Sequence, residues 1–304
     1  MILKKPAVQK LVSNYPIGRL IGYWKIKKGF QNYTYIISTD KGKYILRIGK
    51  KTKKESDILF EINFLRNIKN IPIPKYILGI NNKYVNKFKG HNYVVYKYIE
   101  GKTPKRISSG LLREVAYFLA KFHTQSEKLP SFISIKRFAW YDLPDKKIKK
   151  ITVHLLRNLS GYKDEILYLN DELLKNKLSG KLPKGTIHCD VKSENLLVDS
   201  NKLSGVIDFD NCQIGPYVLD IGISIIWFCT DKKGLNFKKA ENFIKYYEKY
   251  RTLNSFEKAN IILAIKYAYL SHEFIDYYIY SKGIITKKYF DFGRKYFLNA
   301  VKKM

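Results

Sequence analysis

Ile187-His188-Cys189-Asp190-Val191-Lys192-Ser193-Glu194-Asn195, followed by Val206-Ile207-Asp208-Phe209-Asp210, is the part of this chain that decides how the rest is read. Each half opens on apolar residues of strand type and runs into polar residues typical of a turn. An aspartate in a loop just after a strand, an asparagine five residues on, and a second aspartate closing the next hairpin can converge on one point. Such a set has a chemical logic. Phosphoryl transfer needs little covalent help from a protein. It needs one carboxylate to accept or orient the attacking hydroxyl, and oxygen ligands that hold Mg²⁺ against the phosphates. On this reading Asp190 is the base, and Asn195 and Asp208 are metal ligands. A lone Asp or Asn in a turn is usually only a turn residue. The joint spacing, set inside apolar strands, is what carries the chemistry.

Composition narrows the classes around this stretch. The chain has 304 residues, 45% hydrophobic and 15% aromatic, enough for a sizeable core and too apolar for a disordered chain. No apolar run reaches the roughly 18–20 residues of a membrane span. The best candidate, Ile221 to Cys229, is about half that. The N-terminal MILKKPAVQKLVSNYP is basic but has no apolar h-region, so a secretory signal is not expected. Cys189, Cys212 and Cys229 form no CxxC pair, which argues against a disulfide framework and a structural zinc site. A soluble, cytoplasmic protein with no membrane partner is expected. Lys and Arg number 57 against 26 Asp and Glu, a net charge of +31. A polyanion partner is one explanation. The other is codon usage: Lys, Ile, Asn and Tyr have AT-rich codons and all are abundant here. The lysines are scattered rather than gathered into one stripe, so a nucleic-acid partner is not expected.

Texture changes along the chain. Over 15–100, short runs rich in Tyr, Val and Ile (YTYIIST, KYILRI, YVVYKYI) alternate with turns such as Asp40-Lys41-Gly42, an antiparallel meander. One helix interrupts it, with Ile58, Ile62 and Leu65 at helical spacing. After Gly101 helical periodicity dominates: a helix ending near His123, two segments over 151–177 split near Gly161, a helix over 237–250, and a long one over 255–280. Asn254 and Glu257 form a capping box for the last. The expected fold class is α+β: an antiparallel-sheet lobe over 1–97, a hinge near 96–101, and a mainly helical lobe over 98–304.

HxDxxxxN followed by IDF, with the segments flanking it, resembles the aminoglycoside-phosphotransferase and choline-kinase superfamily, which shares the two-lobed protein-kinase-like fold. The resemblance covers almost the whole chain. Within it, Gly29-Phe30-Gln31-Asn32-Tyr33-Thr34-Tyr35, Gly42-Lys43-Tyr44-Ile45-Leu46-Arg47, Ile71-Pro72-Ile73-Pro74, Leu182-Pro183-Lys184-Gly185-Thr186-Ile187-His188 and Leu203-Ser204-Gly205-Val206-Ile207-Asp208-Phe209 resemble the phosphotransferase-type homoserine kinases.

The resemblance implies ATP and Mg²⁺ as cofactors and a small-molecule hydroxyl acceptor, homoserine or a similar amino alcohol. It implies that Gly29 to Asn32 cover the nucleotide phosphates, that Arg47 stands where many relatives carry a phosphate-binding lysine and pairs with Glu61, and that the backbone near Tyr98 meets adenine. Lys192 resembles the lysine with which protein kinases contact the transferred phosphate, and Asp220 a structural carboxylate bracing the catalytic loop. His188 is expected to be structural and Cys189 a packing residue. Asp210 departs from the aromatic of homoserine kinases, in a loop expected near the acceptor. Glu273 and Asp276 are candidates for lining the acceptor pocket. Tyr277, Tyr278 and Tyr280 could instead cage a choline. With no DFG and no APE, a protein acceptor is the lesser option. An aminoglycoside or choline phosphotransferase, and a non-catalytic binding protein on a kinase fold, remain as alternatives at this point, and the oligomeric state stays open.

Overall fold

A computed structural model describes residues 2–26, 32–129, 141 and 143–304. Helix α1 (Lys5–Val12) precedes a five-stranded antiparallel sheet of β1 (Leu20–Ile26), β2 (Asn32–Thr39), β3 (Gly42–Gly49), β4 (Asn86–Phe88) and β5 (His91–Lys97). The strand order is β1-β2-β3-β5-β4. The expected turn joins β2 to β3, with Thr39 opposite Gly42. Gly42 has φ of 128°, a conformation that side-chain-bearing residues avoid. Alternation sends Tyr35, Ile37, Leu46 and Ile48 to one face, where they pack with Val8, Leu11 and Val12 of α1. Helix α2 (Glu55–Leu65), the only helix foreseen here, lies between β3 and β4 in sequence and buries Ile58, Glu61 and Ile62.

Beyond β5 the chain is mainly helical. Helix α3 (Ser109–Ser126) starts at a Ser108 side chain that accepts from the Leu111 N–H. The segment expected to begin at 151 starts earlier, as α4 (Asp145–Asn158), and a short 3₁₀ turn at Ser160–Tyr162 separates it from α5 (Lys163–Lys175). Two small ribbons follow. β6 (Lys184–Ile187) pairs with β9 (Gln213–Pro216), and β7 (Leu196–Asp199) with β8 (Lys202–Val206). The loops between β6 and β7 and between β8 and β9 are the two halves of the decisive stretch, so the ribbons place them side by side. The Val206 N–H donates to the Pro72 carbonyl, which ties the Ile71–Pro74 turn to the same place.

Helices α6 (Tyr217–Phe228) and α8 (Ser255–Ser281) form the centre of this lobe, with α7 (Phe237–Glu248) between them in sequence. Every α6 residue but Trp227 is buried, as is every α8 residue from Tyr267 to Tyr277. Both halves of the Asn254–Glu257 capping box are present. The chain ends in α9 (Lys287–Gly293) and a π-helical turn, Arg294–Leu298. Among the described residues no helix is long and apolar enough to cross a membrane. Cys189, Cys212 and Cys229 are buried and form no disulfide.

α6 and α8 approach so closely that a Cβ on Gly222 would stand 2.7 Å from the Ala264 carbonyl oxygen, a backbone atom with little room to yield. Gly222→Ala is therefore expected to lower stability by about 1–3 kcal/mol, the usual penalty of overpacking a core. Urea unfolding measures it: the midpoint should fall while the m-value stays constant.

Candidate active site

One carboxylate organises the loop after β6. Asp220, fully buried on α6, accepts hydrogen bonds from the His188 N–H (2.7 Å) and the Cys189 N–H (2.8 Å), and from His123 Nε2 (3.1 Å). Cys189 has φ of 63°, and this left-handed turn lets consecutive N–H groups reach one anion. Burial pushes the Asp220 carboxyl upward, but His123 and the loop amides outweigh it and hold it below the ordinary range. Burial also lowers the pKa values of His123 and His188 and keeps both rings neutral. His188 Nδ1 accepts from the Asp190 N–H (3.2 Å), so Nε2 carries the proton and donates to the Ile207 carbonyl (3.2 Å). Both assignments as structural residues, His188 and Asp220, agree with this geometry.

Asp190 is thereby aimed. Its Oδ2 accepts from Asn195 Nδ2 (3.0 Å), which also bonds the Asp190 carbonyl (2.9 Å), and its Oδ1 pairs with Lys192 Nζ (2.8 Å). Burial would lower the Lys192 pKa, but Asp190 raises it further, so the ammonium stays charged. Asp208, with φ of 64°, closes the second loop and remains accessible to solvent on one side. Its recessed setting, and then the carboxylates of Asp210 and Asp190, push its carboxyl up to about 7. Asn195 spends its amide nitrogen on Asp190, which leaves its oxygen for a cation. A carboxylate and an amide oxygen are hard donors suited to Mg²⁺, which takes few protein ligands and completes its shell with phosphate and water. Among the described residues no group of three or more His, Cys, Asp or Glu side chains could enclose a metal unaided.

The sheet meets these loops through Arg47 on β3, only 6% exposed. Its guanidinium donates to both oxygens of Glu61 on α2 (3.0 and 2.7 Å) and to Asp210 Oδ1 (3.0 Å). The Tyr76 hydroxyl donates to Glu61 Oε1 (2.5 Å), and the rings of Tyr76 and Tyr96 flank the guanidinium. Asp210 also pairs with Lys53 Nζ and accepts from Asn32 Nδ2 (2.5 Å). Burial alone would raise the Asp210 carboxyl; Arg47 and Lys53 hold it well below the ordinary range. Asp210 turns toward the sheet lobe, because a buried carboxylate needs cations and Arg47 and Lys53 supply them. Lys53 was hidden in a lysine run that looks uniformly solvated, and only the approach of Asp210 distinguishes it.

Tyr98 lies just past β5. Its N–H donates to the Lys43 carbonyl (3.2 Å) and its ring lies beneath the Lys43 ammonium. Gly29 lies outside the described residues. The three tyrosines of α8 do not form a cage. Tyr277 donates to Glu165, Tyr278 meets the edge of His154, and Tyr280 stacks on Phe290 at 4.1 Å. Glu273 and Asp276, by contrast, are buried; Asp276 feels the charges of Lys192 and Asp190, and Glu273 those of Asp276, Arg294 and Glu165.

A carboxylate braced by an asparagine and a lysine, a second aspartate beside it, and an Arg–Glu pair under an antiparallel sheet define a phosphotransferase of protein-kinase-like fold. The chain belongs to the Phosphotransferase enzyme family, a model of which matches residues 24–251. The homoserine kinase of Bartonella henselae is 25% identical over 271 residues, covering 86% of this chain and 82% of that one. The homoserine kinase of Neisseria meningitidis serogroup B is 26% identical, covering 82% and 80%. Among solved structures, an amicoumacin kinase in complex with AMP-PNP, Ca²⁺ and Ami superposes with a TM-score of 0.73 at 17% identity, covering 99% of this chain and 94% of that one. A microcompartment-associated aminopropanol kinase gives 0.67 at 18% identity, covering 92% and 95%. The chain is thus a phosphotransferase, with the fold expected from its sequence.

Asp220→Ala would strip two backbone N–H groups and His123 of their acceptor inside the core. Each orphaned buried donor costs about 1–3 kcal/mol. The variant is expected to lose about 3 kcal/mol or more in denaturant unfolding and to lose turnover with it, since Asp190 hangs on the same amides.

Proposed function

We propose that this chain transfers the γ-phosphoryl group of ATP to the hydroxyl of a small amino alcohol, with homoserine the first acceptor to test. In this reading residues 1–97 hold the nucleotide, and residues 98–304 supply catalysis and the acceptor site. The observation that carries it is the meeting of Asp190, Asn195, Lys192 and Asp208 with the Arg47–Glu61 pair at one junction. The names of the curated relatives, homoserine kinases, and of one structural neighbour, an aminopropanol kinase, support an amino-alcohol acceptor. A cytoplasmic setting goes with this reading.

Asp190 accepts the proton of the acceptor hydroxyl as the oxygen attacks phosphorus. Lys192 and Asn195 fix the carboxylate rotamer so that a lone pair faces the acceptor. Asp208 and the Asn195 side-chain oxygen would hold Mg²⁺, which when bound neutralises the phosphates and keeps them in line. The bonds of Arg47 to Glu61 and Asp210 occupy three of the five guanidinium N–H groups, leaving donors for a phosphate oxygen. Gly29 and Asn32 would cover the phosphates, Asn32 from the start of β2 with its amide on Asp210. Since the Tyr98 N–H serves Lys43, adenine would meet other backbone groups near that residue.

The test is coupled ADP release with homoserine, threonine, choline, ethanolamine, kanamycin and a basic protein at equal concentration. Homoserine is expected to give the highest kcat/KM; a clear preference for kanamycin or choline would overturn the acceptor assignment, and no acceptor-dependent turnover would overturn the kinase reading. Asp190→Asn should keep nucleotide affinity and lose roughly 10²–10⁴-fold in single-turnover rate. A rate above about a tenth of wild type would remove Asp190 from the role. Asp208→Ala should abolish turnover by losing the metal, and an unchanged Mg²⁺ dependence would exclude it as a ligand.

A further inference from the structure

Helix α6 meets the catalytic loop through more than Asp220. Trp227 lies seven residues further along α6, close to two helical turns, so the two side chains leave the helix on one face, about 10 Å apart along its axis. Trp227 is also the one α6 residue that is only partly buried. Asp220 accepts the His188 and Cys189 N–H groups at the start of the loop. Further along the loop, the Lys192 ammonium stands over the Trp227 ring, 5.3 Å from its centroid. Asp190 lies between these two attachments, its Oδ1 2.8 Å from Lys192 Nζ.

The ring is itself fixed. Two edge-to-face contacts hold it, with His272 of α8 at 5.1 Å and Phe297 of the π-helical turn at 5.0 Å. His272 is fixed in turn by the Tyr141 hydroxyl, 3.0 Å from its Nδ1. Burial, and then the Lys192 charge, push the His272 imidazole down to about 3, so it is neutral and puts no second cation beside the lysine. Trp227 Nε1 is buried and has no hydrogen-bond partner among the described residues, whereas a buried indole N–H usually finds one. What this residue offers its surroundings is its face.

Lys192 needs such a restraint. Asp190 and Asp208 both act on its charge, and its charge acts on Asp276. A lysine ammonium is a point charge on a flexible stem, and among three anions it has no fixed place. A further carboxylate beneath it would draw it off Asp190. An aromatic face attracts the ammonium but carries no net charge, so it restrains the lysine without competing for it as an ion pair. Asp190 takes one of the three N–H donors and the ring lies beneath, which leaves a donor for a phosphoryl oxygen.

We propose that Trp227 is a positioning residue of the transfer step: its indole face holds the Lys192 ammonium against Asp190, and through it holds the base in the rotamer that receives the acceptor proton. This rests on the kinase reading above. One face of α6 then sets the catalytic loop twice, by its backbone at Asp220 and by its side chains at Trp227. The Lys192 side chain is 22% exposed, so the ammonium is partly withdrawn from water, where a tryptophan face beneath it is worth a factor of about 10. Loss of that face falls on kcat, because the restraint is needed as Asp190 takes the proton and has no part in holding adenine.

The test is steady-state kinetics on the full chain with ATP and whichever of homoserine, threonine, ethanolamine, choline or kanamycin turns over fastest. Trp227→Leu should lower kcat by about 10-fold and change the KM for ATP by less than about threefold. Trp227→Phe, which keeps an aromatic face and has no N–H, should retain at least about a third of the wild-type kcat. In a Lys192→Met background, Trp227→Leu should change kcat by less than about twofold, because the ring then has no ammonium to hold. Fluorinated tryptophans placed at position 227 alone drain negative charge from the ring face at nearly constant shape, so log kcat should fall in step with the number of fluorines. A role confined to packing would respond to lost volume and not to fluorination. Losses from Trp227→Leu and Lys192→Met that multiply, a Phe variant as slow as the Leu variant, or a kcat indifferent to fluorination would overturn the assignment while leaving the kinase. Absence of acceptor-dependent turnover in the wild type would overturn the kinase reading, and this assignment with it.

Discussion

The junction between the lobes depends on the pairing of one buried guanidinium. Arg47 leaves β3 into a space with little water, where its charge must be fully matched. A planar fork matches Glu61 with two parallel bonds and still has an edge for Asp210. A lysine, with a single nitrogen, would not bridge the two in this geometry. The arginine at 47 and the carboxylate at 210 therefore explain each other. Lys53 and Asn32 complete Asp210, so β2, β3, α2 and the loop after β8 are joined through one carboxylate and one guanidinium.

Asp220 does for the helical lobe what Arg47 does for the junction, with a different outcome. Its carboxylate is saturated by two amides and a neutral imidazole, which fixes the backbone on which Asp190 stands. The acid pair on α8 is the opposite case: Glu273 and Asp276 are equally buried, yet both Glu273 oxygens and Asp276 Oδ2 have no hydrogen-bond partner among the described residues.

What could be read in the sequence was whatever is encoded locally. The HCDVKSEN and IDF segments carry fixed spacing inside strands, and the ribbons bring them together as that spacing requires. The α8 capping box depends on residues three apart, and the β2–β3 turn on Asp40 to Gly42. Strand β9 was missed because Gln213 to Pro216 contains glycine and proline, which argue against a strand unless an edge position tolerates them. Helix α1 was missed because it is only eight residues long, and its helicity comes from packing Val8, Leu11 and Val12 on the sheet. The direction of Asp210, the burial of Lys53 and the splaying of Tyr277, Tyr278 and Tyr280 are set by residues far away in the chain, and local pattern is silent on them.

Charge at the site runs against charge over the whole. A net +31 suggests repulsion of any cationic acceptor, but the Debye length at physiological ionic strength is about 8 Å, so scattered surface lysines are screened from the interior. What an acceptor meets is local. Arg47 and Lys53 pair with Asp210, Lys192 pairs with Asp190, and Asp276 feels the charges of both Lys192 and Asp190. A polyphosphate placed beside Asp190 would be held by these local cations, and the distant surface lysines would add only what escapes screening over that distance.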